Sequence, residues 1–306
     1  MADKHDGRWT DRRPEPERCR RIAGFLWTAR SLVSEYLTID PDWAGRPGSQ
    51  LGKELSHVER TDGKEFRDEV QAAVNNAGIL LFAAVQHLES VAVLLGADVP
   101  PIYSLTALAR VAMELGAGAW RLTDPTIDAR TRVARLSLDR LNSARELDKL
   151  LTETGMTRAE LGNHASLEET AKKIEALGLA VKVGERSSAG DRVDGHERPA
   201  ISTTMETFAG RHIETDSKRI YRLFSAVTHG THWGVTVFFS AKDTADGRLS
   251  SEFAVEQGWV DVASLVAAES YAWAVENFVA LLGWDEQPLN RWMTEIDAIF
   301  GSLVGA

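Results

Sequence analysis

Arg222 and His229 are the two residues whose types and spacing most directly suggest chemistry. They lie seven positions apart in Tyr221-Arg-Leu-Phe-Ser-Ala-Val-Thr-His229-Gly230. Seven residues turn a helix by about 700°, which leaves both side chains within about 20° of each other and about 10.5 Å apart along the axis. A guanidinium offers phosphate a fork of N–H donors, and an imidazole can move a proton near neutral pH. Together they suit phosphodiester cleavage without a metal, with Arg222 binding phosphate and His229 transferring protons. Lys218, Ser225 and Trp233 fall on roughly the same face and, with His232, are candidate substrate-binding residues. The competing reading is structural: Arg222 pairs with a carboxylate and His229 is a satisfied bundle histidine.

A second candidate set is a polar line on an otherwise apolar segment, formed by Tyr103, Arg110, Glu114 and Arg121. Its steps of seven, four and seven residues keep the four within about 40° on a helix. Arg110 and Glu114 can pair at i,i+4. The surrounding Leu105, Val111, Met113, Leu115 and Trp120 make a buried polar seam lining a pocket or an interface the alternative to a solvated face, and His87 is a candidate to join it. A metal held by His229 and His232 with Glu114 or Glu269 is the weaker possibility. Helical di-metal sites use Glu-x-x-His pairs, and neither histidine has a glutamate three residues before it. The reading is therefore of no metal and no cofactor. Arg12, Arg13, Arg18, Arg20 and Arg21 cluster among acidic residues, which fits a solvated helix start or a phosphate contact.

Other signatures fail on position. Gly52-Lys53 has Pro47 and Glu54 where a phosphate-binding loop needs glycine and a hydroxyl. Gly116-Ala117-Gly118 follows no strand, so it reads as close helix packing through small residues.

The elements that must position these residues are helices. Apolar spacing predicts them over 15–37, 62–95 with Asp62 as cap, 101–122, 124–153, a short one capped by Thr157 or Asn163 and ending at 177, 216–239, 260–282, and a last one from Pro288 with Leu289, Trp292, Ile296 and Ile299 inward. Residues 42–57 read as a surface connection, 242–247 as a turn with a short hairpin, and 178–215 as an irregular insert. The fold class is all-α: one helical domain over 1–306, a bundle of about seven to nine helices.

The chain of 306 residues carries 35 Lys+Arg against 45 Asp+Glu, a net charge of −10, so any nucleic acid must be attracted by a local patch against the global field. With 43% hydrophobic residues it can bury a core. The longest apolar stretch, 77–95, contains Gln86, His87 and Glu89 and reads as a buried helix, not a membrane span. A single cysteine and a charged start point to the cytoplasm.

The segment Leu105-Thr-Ala-Leu-Ala-Arg110-Val-Ala-Met-Glu114, then Ala119-Trp-Arg-Leu-Thr-Asp124-Pro125 and Tyr221 to Gly230, resembles an uncharacterised actinobacterial all-helical family, over roughly 73–239. Within it Arg222-x6-His229 is similar to the Arg-x4-6-His motif of the HEPN superfamily. The resemblance implies a helical bundle with an HEPN-like core, a homodimer, and metal-independent RNA cleavage by the neighbouring 2′-hydroxyl in defence or stress response. The residue after the motif arginine is Leu223, where HEPN nucleases commonly carry a polar one. That keeps open a non-catalytic interaction or ligand-binding protein, and a small-molecule enzyme with a pocket between the 62–95, 101–122 and Arg222 helices.

Overall fold

The computed structural model describes residues 14–39, 45–162, 164–185, 187–210, 217–243, 249–253 and 256–301. Over these residues the chain is predominantly helical, as the apolar periodicity predicts.

The predicted first helix is two, α1 (Pro16–Leu26) and α2 (Ala29–Ile39), broken at Trp27-Thr28. Thr28 Oγ1 donates to the Phe25 carbonyl at 2.6 Å and accepts from Trp292 Nε1 at 2.8 Å, so a tertiary contact holds the break. Next, α3 (Gln50–Thr61) occupies the predicted surface connection. Ser49 caps it by accepting from the Gly52 N–H at 3.1 Å, and Leu51, Leu55 and Val58 are buried at helical spacing. The cap and the apolar stripe outweigh the nearby glycines. Asp62 is the last residue of this turn, not the cap of the next helix, because its N–H closes on the Val58 carbonyl at 2.8 Å.

The long helix α4 (Lys64–Leu95) lies against α5 (Ile102–Thr123), and α6 (Ala129–Thr154) follows, capped by Asp128. The helix α7 (Leu167–Ala176) starts from a capping box of Ser166 and Glu169, not from Thr157 or Asn163. Thr157 instead forms a turn with Glu160, and Asn163 lies outside the described residues.

The segment expected to be an irregular insert carries regular secondary structure over much of its described length. Three short antiparallel strands, β1 (Val181–Lys182), β2 (Arg192–Val193) and β3 (His196–Glu197), precede α8 (Ile201–Gly210). Asp194 and Gly195 both have positive φ, 51° and 79°, and close the β2–β3 hairpin as a two-residue turn. Arginines of α6 hold the unit down: Arg145 donates to Asp191 at 2.7 Å and to the Gly184 carbonyl at 2.9 Å, and Arg130 pairs with Asp194. Val193 is fully buried. Residues 211–215 lie outside the described residues.

The chain then forms α9 (Ser217–Thr228), α10 (His232–Thr236), the expected hairpin of β4 (Phe239–Asp243) and β5 (Leu249–Phe253), α11 (Gln257–Leu282) and α12 (Gln287–Phe300). Twelve α-helical segments among the described residues exceed the expected seven to nine. The excess comes from the α1/α2 break, α3, α8 and the separate α10. In α12, Leu289, Trp292 and Ile296 are buried as predicted, Ile299 is half-buried against the core, and Phe300 extends the stripe.

The core is built on α4, α5 and α11. Gly116 lets α5 approach α11 so closely that a Cβ would sit 2.7 Å from the Ser270 carbonyl oxygen. Gly118 similarly faces Leu80, 3.1 Å from where its Cβ would be. These are the packing contacts the small residues predict. Two polar side chains are paired across helices in this core: Tyr271 donates to the Ala29 carbonyl at 3.0 Å, and Trp259 Nε1 to Thr106 Oγ1 at 3.0 Å. Arg132, fully buried on α6, donates to the Leu122 and Asp124 carbonyls that end α5 and faces Glu54 at 3.4 Å. By length and composition α4 and α11 could each cross a membrane, and 44% and 72% of their most apolar windows are buried in the bundle.

Candidate functional site

The site begins with the way α9 ends. Gly230 adopts φ +61°, its N–H bonds the Val227 carbonyl at 3.1 Å, and the Thr231 N–H bonds the Ala226 carbonyl at 3.1 Å. This is a Schellman cap, with glycine in the left-handed position that other residues enter at a cost. It ends α9 at His229. Thr231 then caps α10 by accepting from the Gly234 N–H at 3.3 Å. Gly234 packs directly on the end of α9, where a Cβ would lie 2.4 Å from the Ala226 carbonyl. His229 is therefore set at the junction of two helices on an exposed corner.

From α5, the Arg110 side chain reaches this corner. Its Nε donates to Glu114 Oε1 at 2.9 Å, and its Nη2 lies 2.8 Å from the same oxygen. Its Nη1 lies 3.0 Å from His229 Nε2, and its Nη2 is 3.5 Å from the Tyr221 hydroxyl. Tyr221 donates to Glu114 Oε1 at 3.1 Å, and the guanidinium carbon sits 5.5 Å from the centre of the Tyr221 ring. A guanidinium has donors only, so the contact with His229 requires Nε2 to accept. The imidazole in this arrangement is neutral, with its proton on Nδ1. Burial pushes the Tyr221 phenol above its ordinary range, which keeps it a donor, while Arg110 acts in the opposite direction.

The two sets of candidate residues thus meet: Arg110, Glu114 and His229 form one hydrogen-bonded group. Arg222 is exposed on α9, with no hydrogen bond or ion pair among the described residues. Ser225 is half-buried, and His232 and Trp233 are exposed on α10, Trp233 at 53%. The Lys218 side chain lies outside the described residues. His87 does not join the group; its Nδ1 is buried with no partner among the described residues, and burial lowers its pKa. Among the described residues no three His, Cys, Asp or Glu side chains gather as a metal-binding set. In the N-terminal arginine cluster, Arg18 is held by Asp261 at 2.9 Å; Arg12 and Arg13 lie outside the described residues.

The polar line on α5 divides. Tyr103 donates to the Val235 carbonyl of α10 at 2.7 Å and Arg110 turns to α9, whereas Arg121 turns to α6 and pairs with Asp139. Asp139 also accepts from Arg198 Nε at 3.0 Å. Arg121 and Asp139 border a cleft of about 1450 Å³ between α4, α5, α6, α7 and residues 198–204. Glu114 belongs to both regions, bonded to Arg110 and Tyr221 while lining the cleft. Arg222, Ser225, His229 and Trp233 do not line this cleft.

Sequence reasoning missed Tyr221, Asp139 and Arg198 as site residues. Tyr221 falls one position before Arg222 in the same motif, and its phenol was the available signal. Asp139 and Arg198 carried none, because their partners come from other elements. Comparison of the chain with protein-family models, curated proteins and solved structures finds no match.

Proposed function

We propose that the chain is an HEPN-like, metal-independent endoribonuclease acting in the cytoplasm as a homodimer in defence or stress response. The observation that carries the reading is the exposed His229 with Nε2 held by Arg110, two helical turns after the exposed Arg222. Two guanidiniums and a neutral imidazole on one corner suit a phosphodiester. A phosphate drawn to Arg222 and Arg110 competes for Arg110 Nη1 and releases His229 Nε2. That nitrogen takes the 2′-hydroxyl proton, the 2′-oxygen attacks phosphorus, the bond to the 5′-oxygen breaks, and water protonates the leaving oxygen. The products are a 2′,3′-cyclic phosphate and a 5′-hydroxyl end.

The test is incubation of the purified protein with total RNA in EDTA. Wild type cuts; His229→Ala and Arg222→Ala, both folded, lose at least a hundredfold in rate. Absence of cutting by folded wild type rejects the reading. A second reading, a non-catalytic interaction or ligand-binding protein, is favoured by the extent to which Arg110 is already engaged by Glu114, Tyr221 and His229. Such a lock joins α5 to α9 with no need of a substrate.

A further inference from the structure

The cleft between α4, α5, α6 and α7 shares Glu114 with the His229 corner and combines two further features. Its walls include Ile79 and Ile201, which remain 66% and 42% exposed, together with Leu80 and Leu115. Large apolar side chains left uncovered in a concavity gain by covering them with a ligand. The second feature is a group of cations between these walls. Arg121 and Arg198 share the single carboxylate of Asp139, and Arg140 pairs with Glu69. Lys173 of α7 also lines the cleft. At Asp139, therefore, two guanidiniums meet one carboxylate. Arg121 is only 8% exposed yet lines the space, so its charge is presented from a largely desolvated position.

The other carboxylates of the lining are Glu65, Asp68 and Glu114. Glu114 is two helical turns from Arg121, about 10.5 Å along α5. Glu65 and Asp68 belong to the opening turns of α4, and Asp68 is engaged by Arg67 at 3.1 Å. A volume of about 1450 Å³ exceeds the roughly 300–1000 Å³ common for small-ligand pockets, leaving room for a long or branched apolar body.

We infer that this cleft binds an amphipathic organic anion, with an apolar aryl or acyl body on Ile79, Leu80 and Ile201 and one carboxylate, sulfonate or phosphate held by Arg121 and Arg198. The inference does not depend on the ribonuclease reading, because none of its residues bonds His229.

The probe is 1-anilinonaphthalene-8-sulfonate, titrated by fluorescence against wild type, Arg198→Ala and Ile201→Asp, with uncharged N-phenyl-1-naphthylamine as comparator and circular dichroism as the check on folding. Arg198 and Ile201 are partly exposed, so both variants are compatible with the fold. The expected result is saturable binding of the sulfonate by wild type, at least tenfold weaker for Arg198→Ala, with the neutral probe unchanged in that variant and both probes weakened at least tenfold by Ile201→Asp. Equal loss of both probes in Arg198→Ala overturns the anion site, and unchanged binding of both in Ile201→Asp overturns the cleft as their location. No saturable binding by folded wild type overturns the proposal altogether.

Discussion

Arg110 Nη1 and His229 Nε2 lie 3.0 Å apart, joining residues separated by 119 positions in the sequence. The contact fixes the tautomer of a histidine that ends one helix by means of an arginine embedded in another. Arg110 can play this part because Glu114, one turn away on α5, holds its Nε and Nη2 while leaving Nη1 for the imidazole.

Replacing Arg110 by lysine keeps the charge and loses the fork. An ammonium cannot bond Glu114, Tyr221 and His229 in the same geometry, so the variant loses about 1–3 kcal/mol of stability. In ¹⁵N-NMR spectra at pH 8, wild-type His229 shows a protonated Nδ1 and an unprotonated Nε2. The lysine variant shows a mixture of tautomers. An Nε2–H tautomer in wild type contradicts the geometry.

The turn that sets His229 depends on two glycines for different reasons. Gly230→Ala strains a left-handed backbone and costs about 1 kcal/mol. Gly234→Ala puts a methyl 2.4 Å from backbone atoms of Ala226, which side-chain rotation cannot relieve. Its cost is larger, about 2–4 kcal/mol, by the penalty for overpacking. Urea unfolding of both variants ranks them; equal stability of Gly234→Ala and wild type refutes the close approach.

Glu269 of α11 governs a pH dependence. Burial, with Asp297 of α12 adding repulsion, raises its pKa from 4.5 to about 7. Below pH 4.5 the carboxyl is protonated in folded and unfolded chains and carries no penalty. Above about pH 7 it is ionised in both, and the folded state bears the cost of the buried charge. Stability therefore falls as pH rises between these limits, by about 3 kcal/mol from this group. Glu269→Gln matches wild type at pH 4 and is more stable at pH 8, as thermal unfolding at the two pH values checks. A variant no more stable at pH 8 contradicts the burial of the charge.

Local signals account for much of the fold. Apolar spacing identified α4, α5, α6, α11 and α12, Gly116 and Gly118 marked close helix crossings, and the short hairpin after α10 was expected from its turn residues. The Asp194-Gly195 turn lay within the segment read as irregular, where charged and glycine-rich surroundings obscured two-residue strands held by the arginines of α6 and by the buried Val193. α3 was hidden for a related reason: its stripe Leu51, Leu55 and Val58 is short, and its burial against α4 decides in its favour. The break at Trp27-Thr28 rests on Trp292, 264 residues from Thr28, and no window of sequence contains both.

The candidate site divides along the same line. Periodicity placed Arg222 and His229 on one helix face and Tyr103, Arg110, Glu114 and Arg121 on another, because side-chain direction on a helix follows from spacing alone. That the line on α5 separates, with Arg110 meeting His229 and Arg121 meeting Asp139, depends on which helices pack on either side of α5. Side-chain hydrogen bonds extend only about 3 Å, so partners distant in sequence are chosen by the packing of the core. Residue types and spacing carry the chemistry on offer here; the bundle decides which groups are close enough to use it.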